Sequence, residues 1–167
     1  FSRSRSGVSL CRFSYWRLGS GISRINVMLT SGVNVGLGVD GSASNDSGSL
    51  ISEARQAMLL QRVSNGADAM SAMDALELAT RGGADILGRP ECGRIQIGAR
   101  GDLAIWDISG IDSAGSWDPA ALLLAGPKKV KHLVVEGRII VCDGNIVTVK
   151  MSEVLSETKR LVQKLQL

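Results

Sequence analysis

The 167-residue chain is 44% apolar and 21% charged, with twenty glycines and few aromatics. That is the balance of a loop-rich α/β protein with a core of its own. Its net charge of +3 comes from Arg3, Arg5, Arg12 and Arg17; residues 18–167 hold 15 basic and 16 acidic groups. A basic face for nucleic acid is therefore not expected, and no apolar run nears the ~20 residues that span a bilayer.

In chain order, residues 1–16 ("FSRSRSGVSLCRFSYW") show neither helical nor strand period and are expected to be irregular. They lack the apolar core of a leader; their Arg/Ser-rich, acid-free composition imitates a transit peptide only loosely. "SRINVMLTSG" predicts a short helix with Ile25, Met28 and Leu29 on one face and Gly32 as its C-terminal stop. "VNVGLGVD" (33–40) then predicts a strand covered on both faces. Gly36 and Gly38 within it leave room for a close neighbour or ligand. That strand runs to a single acid, Asp40, followed by Gly-Ser-Ala-Ser-Asn-Asp. The residues alone leave two readings of Asp40 open, a turn or capping residue and a reactive carboxylate at a strand end.

"SLISEARQAMLLQRV" predicts a helix over 50–62. Leu50, Ala54, Ala57 and Met58 form its stripe, while Glu53, Arg55 and Gln61 lie off it. Asn45, Asp46 and Ser49 are its candidate caps, so Ser42, Ser44 and Asn45 have loop-shaping work available. Ser71 and Asp74 match a capping box, and Gly82-Gly83 are expected to interrupt the helix that follows. Residues 93–108 predict two short strands about a glycine-rich turn, and 118–124 a helical turn or two. "VKHLVVEGRIIVCDGNIVTV" predicts a meander with turns at Glu136-Gly137 and Asp143-Gly144. An amphipathic helix over 152–166 ends the chain. The organisation expected is an irregular 1–16, an α/β part over 17–90, a small β part over 91–150 and a helix over 151–167.

Cys11, Cys92 and Cys142 are far apart and form no CxxC pair. Buried thiols in a reducing compartment are expected, and the cytoplasm is the predicted location. The one histidine, His132, alternates with Val130 and Val134 and reads as a core or edge residue. The paired H-x-E and P-C-x-x-C signature of the small zinc deaminases is absent.

Three stretches together resemble a known family: "RLGSGI" (17–22), "VGLGVDGSASNDS" (35–47), and "LATRGGADILGR" with "IGARGDLAIWD" (78–89 and 97–107). The chain resembles the C-terminal part of a metal-dependent amidohydrolase of the aminohydrolase branch, nearest in wording to the 8-oxoguanine deaminase group and similar to hydroxyatrazine-type ethylaminohydrolases. The resemblance implies an α/β fold, the end of a (β/α)8 barrel with part of a small β-sandwich and a C-terminal helix. It implies hydrolytic deamination of a purine-like or triazine-like amine, a small heterocyclic substrate, and a divalent metal, zinc first and iron second. Asp40 becomes the last-strand aspartate, touching the metal and carrying a proton, and Asn45 a candidate substrate contact. A homo-oligomer is compatible with the resemblance for the full-length protein.

The start departs from the family pattern. In "VSLCRFSYWRLGSGI" (8–22), Leu10 stands where the family has His, Arg12 where it has Pro and Tyr15 where it has Asn. The family's histidine ligands are expected to lie upstream of residue 1. An inactive remnant is thus the alternative expectation. An open partial barrel, poorly stable by itself, is the physical consequence expected.

Overall fold

In the computed structural model, which describes residues 6–126 and 128–165, the chain divides into two units. The first spans 1–99 and 110–127 and the second 100–109 and 128–167. This corrects the expected boundaries. Residues 110–127 return to the first unit because Ala120 and Leu124 bury their side chains in its core.

The first unit is built on a parallel pair. Strand β1 (Gly7–Leu10) lies in register with β2 (Asn34–Leu37), Gly7 opposite Asn34 and Leu10 opposite Leu37. Helix α1 (Arg12–Arg17) follows β1. The expectation of an irregular 1–16 is therefore corrected for its described residues. A four-residue strand and a six-residue helix are too short to print a period, and β1 is specified by its partner instead. β2 is also shorter than predicted, ending three residues before Asp40.

Helix α2 (Ile25–Thr30) stops at Gly32, whose φ is +72°. Helix α3 (Leu50–Asn65) starts at Ser49, whose hydroxyl accepts the Ser52 N–H. Its inner face is wider than predicted. Ala54 and Ala57 are joined by fully buried Glu53 and Gln61. Gln61 donates to the Ser23 carbonyl at 2.9 Å, so its burial leaves that donor satisfied. Helix α4 (Ala72–Glu77) has the predicted capping box between Ser71 and Asp74.

Gly82-Gly83 do not interrupt the helix, contrary to expectation. α4 runs through a π-helical turn (Leu78–Gly82) into α5 (Gly83–Ile86). The glycines serve contact with β2. A Cβ on Gly82 would stand 2.3 Å from the Val35 carbonyl oxygen, and one on Gly36 2.9 Å from the Gly82 carbonyl carbon. Strand and helix touch backbone to backbone here. Helix α6 (Pro119–Leu124), capped by Asp118 through the Ala120 and Ala121 N–H groups, closes the unit.

The second unit is one antiparallel sheet of order β3-β4-β5-β6: β3 (Leu103–Trp106), β4 (Val130–Val135), β5 (Arg138–Cys142) and β6 (Asn145–Ile146). Both predicted turns form, with positive φ at Glu136, Gly137, Asp143 and Gly144 as two-residue hairpins require. Of the two strands expected in 93–108, only the later one, β3, forms. Ile95 and Ile97 are fully exposed and find no ladder partner among the described residues. Helix α7 (Met151–Leu165) buries none of its residues. No helix among the described residues is long and apolar enough to cross a membrane.

Candidate functional site

Asp40 lies beyond the end of β2, where the Gly38 N–H still reaches the Leu10 carbonyl at 2.9 Å. A Cβ on Gly38 would come within 2.7 Å of the Ser9 hydroxyl, so a larger residue there would make that side chain turn aside. The Asp40 backbone is left-handed, φ +61°, a region that few residues other than Gly, Asn and Asp enter readily. Its side chain is exposed and held by three donors. Ser14 Oγ donates to Oδ2 at 2.6 Å, Ser44 Oγ to the same oxygen at 2.8 Å, and the Gly41 N–H to Oδ1 at 2.8 Å.

These bonds, Ser14's first, hold the Asp40 carboxyl below its ordinary range. They belong to the ionised form, so they add stability above the ordinary carboxyl value and lose it as pH falls through the lowered one. At neutral pH Asp40 is a fixed, water-facing carboxylate with lone pairs to spare.

Behind it lies a second carboxylate that the sequence pattern missed. Glu53 is fully buried. Its Oε2 accepts the Arg12 N–H at 2.5 Å, the Phe13 N–H lies 3.3 Å from Oε1, and Asn45 Nδ2 donates to Oε1 at 2.6 Å. Burial pushes the Glu53 carboxyl up, against those bonds and the Arg12 charge. Asn45 is 3% exposed. Its Oδ1 accepts from the Ser47 and Gly48 N–H groups and the Ser47 hydroxyl. Both ends of the Asn45 amide are thus engaged, the nitrogen by Glu53 of α3 and the oxygen by the loop after β2.

Arg12 is buried as well, 1% exposed, and Nε, Nη1 and Nη2 have no hydrogen-bond partner. Burial draws its pKa down, with Tyr15 and Glu53 opposing. A walled-in guanidinium without partners is a net burden on folding. The Arg12→Met chain, which keeps the backbone donor to Glu53, is expected to unfold at higher urea, a gain of about 1–3 kcal/mol. An unchanged or lower midpoint would contradict this.

A pocket of about 450 Å³ opens between Phe13, Trp16 and Arg17 of α1 and residues 44–47. Phe13 and Trp16 meet edge to face, centroids 6.1 Å apart. Arg17 pairs with Asp46 and so bridges the two walls. Ser44 belongs both to this wall and to the Asp40 cluster. His132 sits in the second unit on β4, an interior strand of its sheet, half-buried and with its Nδ1 accepting the Asp143 N–H at 3.4 Å.

Among the described residues no three His, Cys, Asp or Glu side chains converge to hold a metal. A protein metal centre of the zinc type takes at least three protein ligands, and Asp40 offers one. The described residues therefore do not constitute a metal site by themselves.

A profile described as the amidohydrolase family matches residues 2–140. The chain belongs to the amidohydrolase family. Among curated relatives, an 8-oxoguanine deaminase of Pseudomonas aeruginosa is 42% identical over 142 residues, 84% of this chain and 32% of that protein. A 5-methylthioadenosine/S-adenosylhomocysteine deaminase of Desulforudis audaxviator is 33% identical over 98% of this chain and 39% of its own length. Among solved structures, an atrazine chlorohydrolase of Arthrobacter aurescens complexed with zinc superposes with a TM-score of 0.89 at 31% identity. It covers 97% of this chain and 37% of that one. This amidohydrolase chain thus spans between 32% and 39% of the length of these relatives.

Proposed function

We propose that this chain is the C-terminal part of a hydrolytic deaminase acting on a purine-like or triazine-like amine, with Asp40 as its reacting carboxylate. The parallel β1–β2 pair is read as the last two strands of a (β/α)8 barrel, whose active sites sit at the C-terminal strand ends. The four-stranded sheet is read as part of a small β-domain. The observation that carries the reading is Asp40 itself, ionised, exposed and held at the end of β2 by Ser14, Ser44 and Gly41.

A carboxylate so placed can take a proton from an attacking water and return it to a departing amine. The zinc named with structural relatives supports Asp40 as one ligand of a divalent ion, in a site that residues outside this chain complete. Asn45 acts on the loop.

A second reading, a chain with no activity of its own, is favoured by the lone donor and by Leu10 and Arg12 at family-divergent positions. One experiment separates the two. The chain is assayed alone with zinc, and again grafted in place of the matching 142 residues of the Pseudomonas aeruginosa 8-oxoguanine deaminase. Turnover of 8-oxoguanine by the graft and not by the free chain is expected. An inactive but folded graft would overturn the deaminase reading for these residues.

A further inference from the structure

We infer that Glu53 is a positioning residue for Asp40, acting through α1 and Ser14. The two segments at the strand ends are different stretches of chain: 11–14, which open α1 after β1, and 38–48 after β2. Nothing in sequence proximity fixes one against the other. Glu53, on the rigid α3, reaches both. One oxygen takes the Arg12 N–H; the Phe13 N–H lies within 3.4 Å of each oxygen. These are orphan donors at the start of α1, which has no side-chain cap of its own. The other oxygen takes the Asn45 amide, whose carbonyl in turn gathers Ser47 and Gly48.

With α1 pinned by its N-terminus, Ser14, two residues on from Arg12, is set with its hydroxyl 2.6 Å from Asp40 Oδ2. The chain of contacts runs Glu53, α1 amides, Ser14, Asp40. It also fixes the spacing of the two pocket walls, since Phe13 lines one and Asn45 the other. Glu53 makes no hydrogen bond to Asp40; Ser14 is the link assigned, and the competing link runs through Asn45 to its neighbour Ser44, whose hydroxyl reaches the same Asp40 oxygen. The charged and titratable groups facing Glu53 are Arg12 and Cys11, both on the segment after β1.

The inference rests on the proposed role of Asp40 only for its catalytic consequence. The coupling is read in the purified 167-residue chain by NMR at one fixed neutral pH. In the unmutated chain, through-hydrogen-bond couplings are expected from the Arg12 and Phe13 amides to the Glu53 carboxyl. Ser14→Ala moves the Asp40 carboxyl carbon-13 shift and leaves the Arg12 and Phe13 amides in place. Glu53→Gln moves those amides and moves the Asp40 carbon in the same direction as Ser14→Ala, and adding Ser14→Ala moves it no further.

Absence of couplings from the Arg12 and Phe13 amides to the Glu53 carboxyl overturns the inference in the unmutated chain, even where Glu53→Gln does not fold. So does an Asp40 carbon that stays in place while those amides move in Glu53→Gln. A Glu53→Gln displacement that persists on the Ser14→Ala background overturns it too, since it marks direct field coupling or the route through Asn45 and Ser44. A graft without turnover would bear on the role of Asp40 and leave this coupling as measured.

Discussion

Asp40→Asn in the graft is expected to lower kcat by about 10²–10⁴-fold, the range associated with losing a positioned proton carrier. Asn is the informative substitution because the site constrains the backbone as well as the charge. At φ +61° Asn enters the left-handed region nearly as readily as Asp, whereas Ala adds strain of its own. With its carbonyl kept toward the Gly41 N–H, the Asn amide replaces Oδ2, and both serine hydroxyls that bond that oxygen can rotate to accept from it. What is removed is the negative charge and the ability to take a proton. Steady-state kinetics on 8-oxoguanine, with far-UV circular dichroism as the folding check, gives the result. Turnover within a few-fold of the parent would remove Asp40 from the chemistry.

Gly82→Ala is expected to destabilise the first unit by about 3 kcal/mol or more, the upper end for overpacking. The added methyl would lie 2.3 Å from the Val35 carbonyl oxygen and 3.3 Å from its carbon. Both are backbone atoms of β2, so no rotamer change relieves the clash. The strand must move, and with it the Leu37 end that leads to Asp40. The neighbouring Gly83→Ala is the control. A Cβ there meets nothing within 4 Å, and replacing a helical glycine by alanine gains about 0.5–1 kcal/mol. Urea unfolding of the two variants should therefore move in opposite directions. Equal effects would mean that the β2–helix contact is looser than described.

Elements longer than a few residues, with caps or turn pairs, were legible from the chain. The Ser49 and Ser71 caps, the stop at Gly32, the 50–65 helix and both Asp/Glu-Gly hairpins follow from local rules that the fold did not override. Asp40 was legible through the apolar run that stops at it and through the family wording around it. The partners of Asp40 were not equally visible. Ser44 lies four residues on, but Ser14 comes from a segment with no period, placed by its pairing with β2. Glu53 and Gln61 were read as lying off the α3 stripe because polarity stands for exposure in a periodicity argument. Each is buried against backbone partners that only the fold brings close. The glycine pair at 82–83 carried the opposite ambiguity. The same residues that break helices also let a helix approach a strand, and only the neighbour decides between the two.

Helix α7 stands apart in one respect with a practical consequence. None of its fifteen residues is buried, and its side-chain ion pairs, Lys150–Glu153 and Glu157–Arg160, are local ones. Helices of that length are marginal in water without packing. Its opening is then a local event that leaves the β4–β5 ladder in place, and its amides belong at the low end of the chain's hydrogen-exchange protection. Since a protease engages the segment that opens most cheaply, trimming of this polypeptide would begin within 151–165.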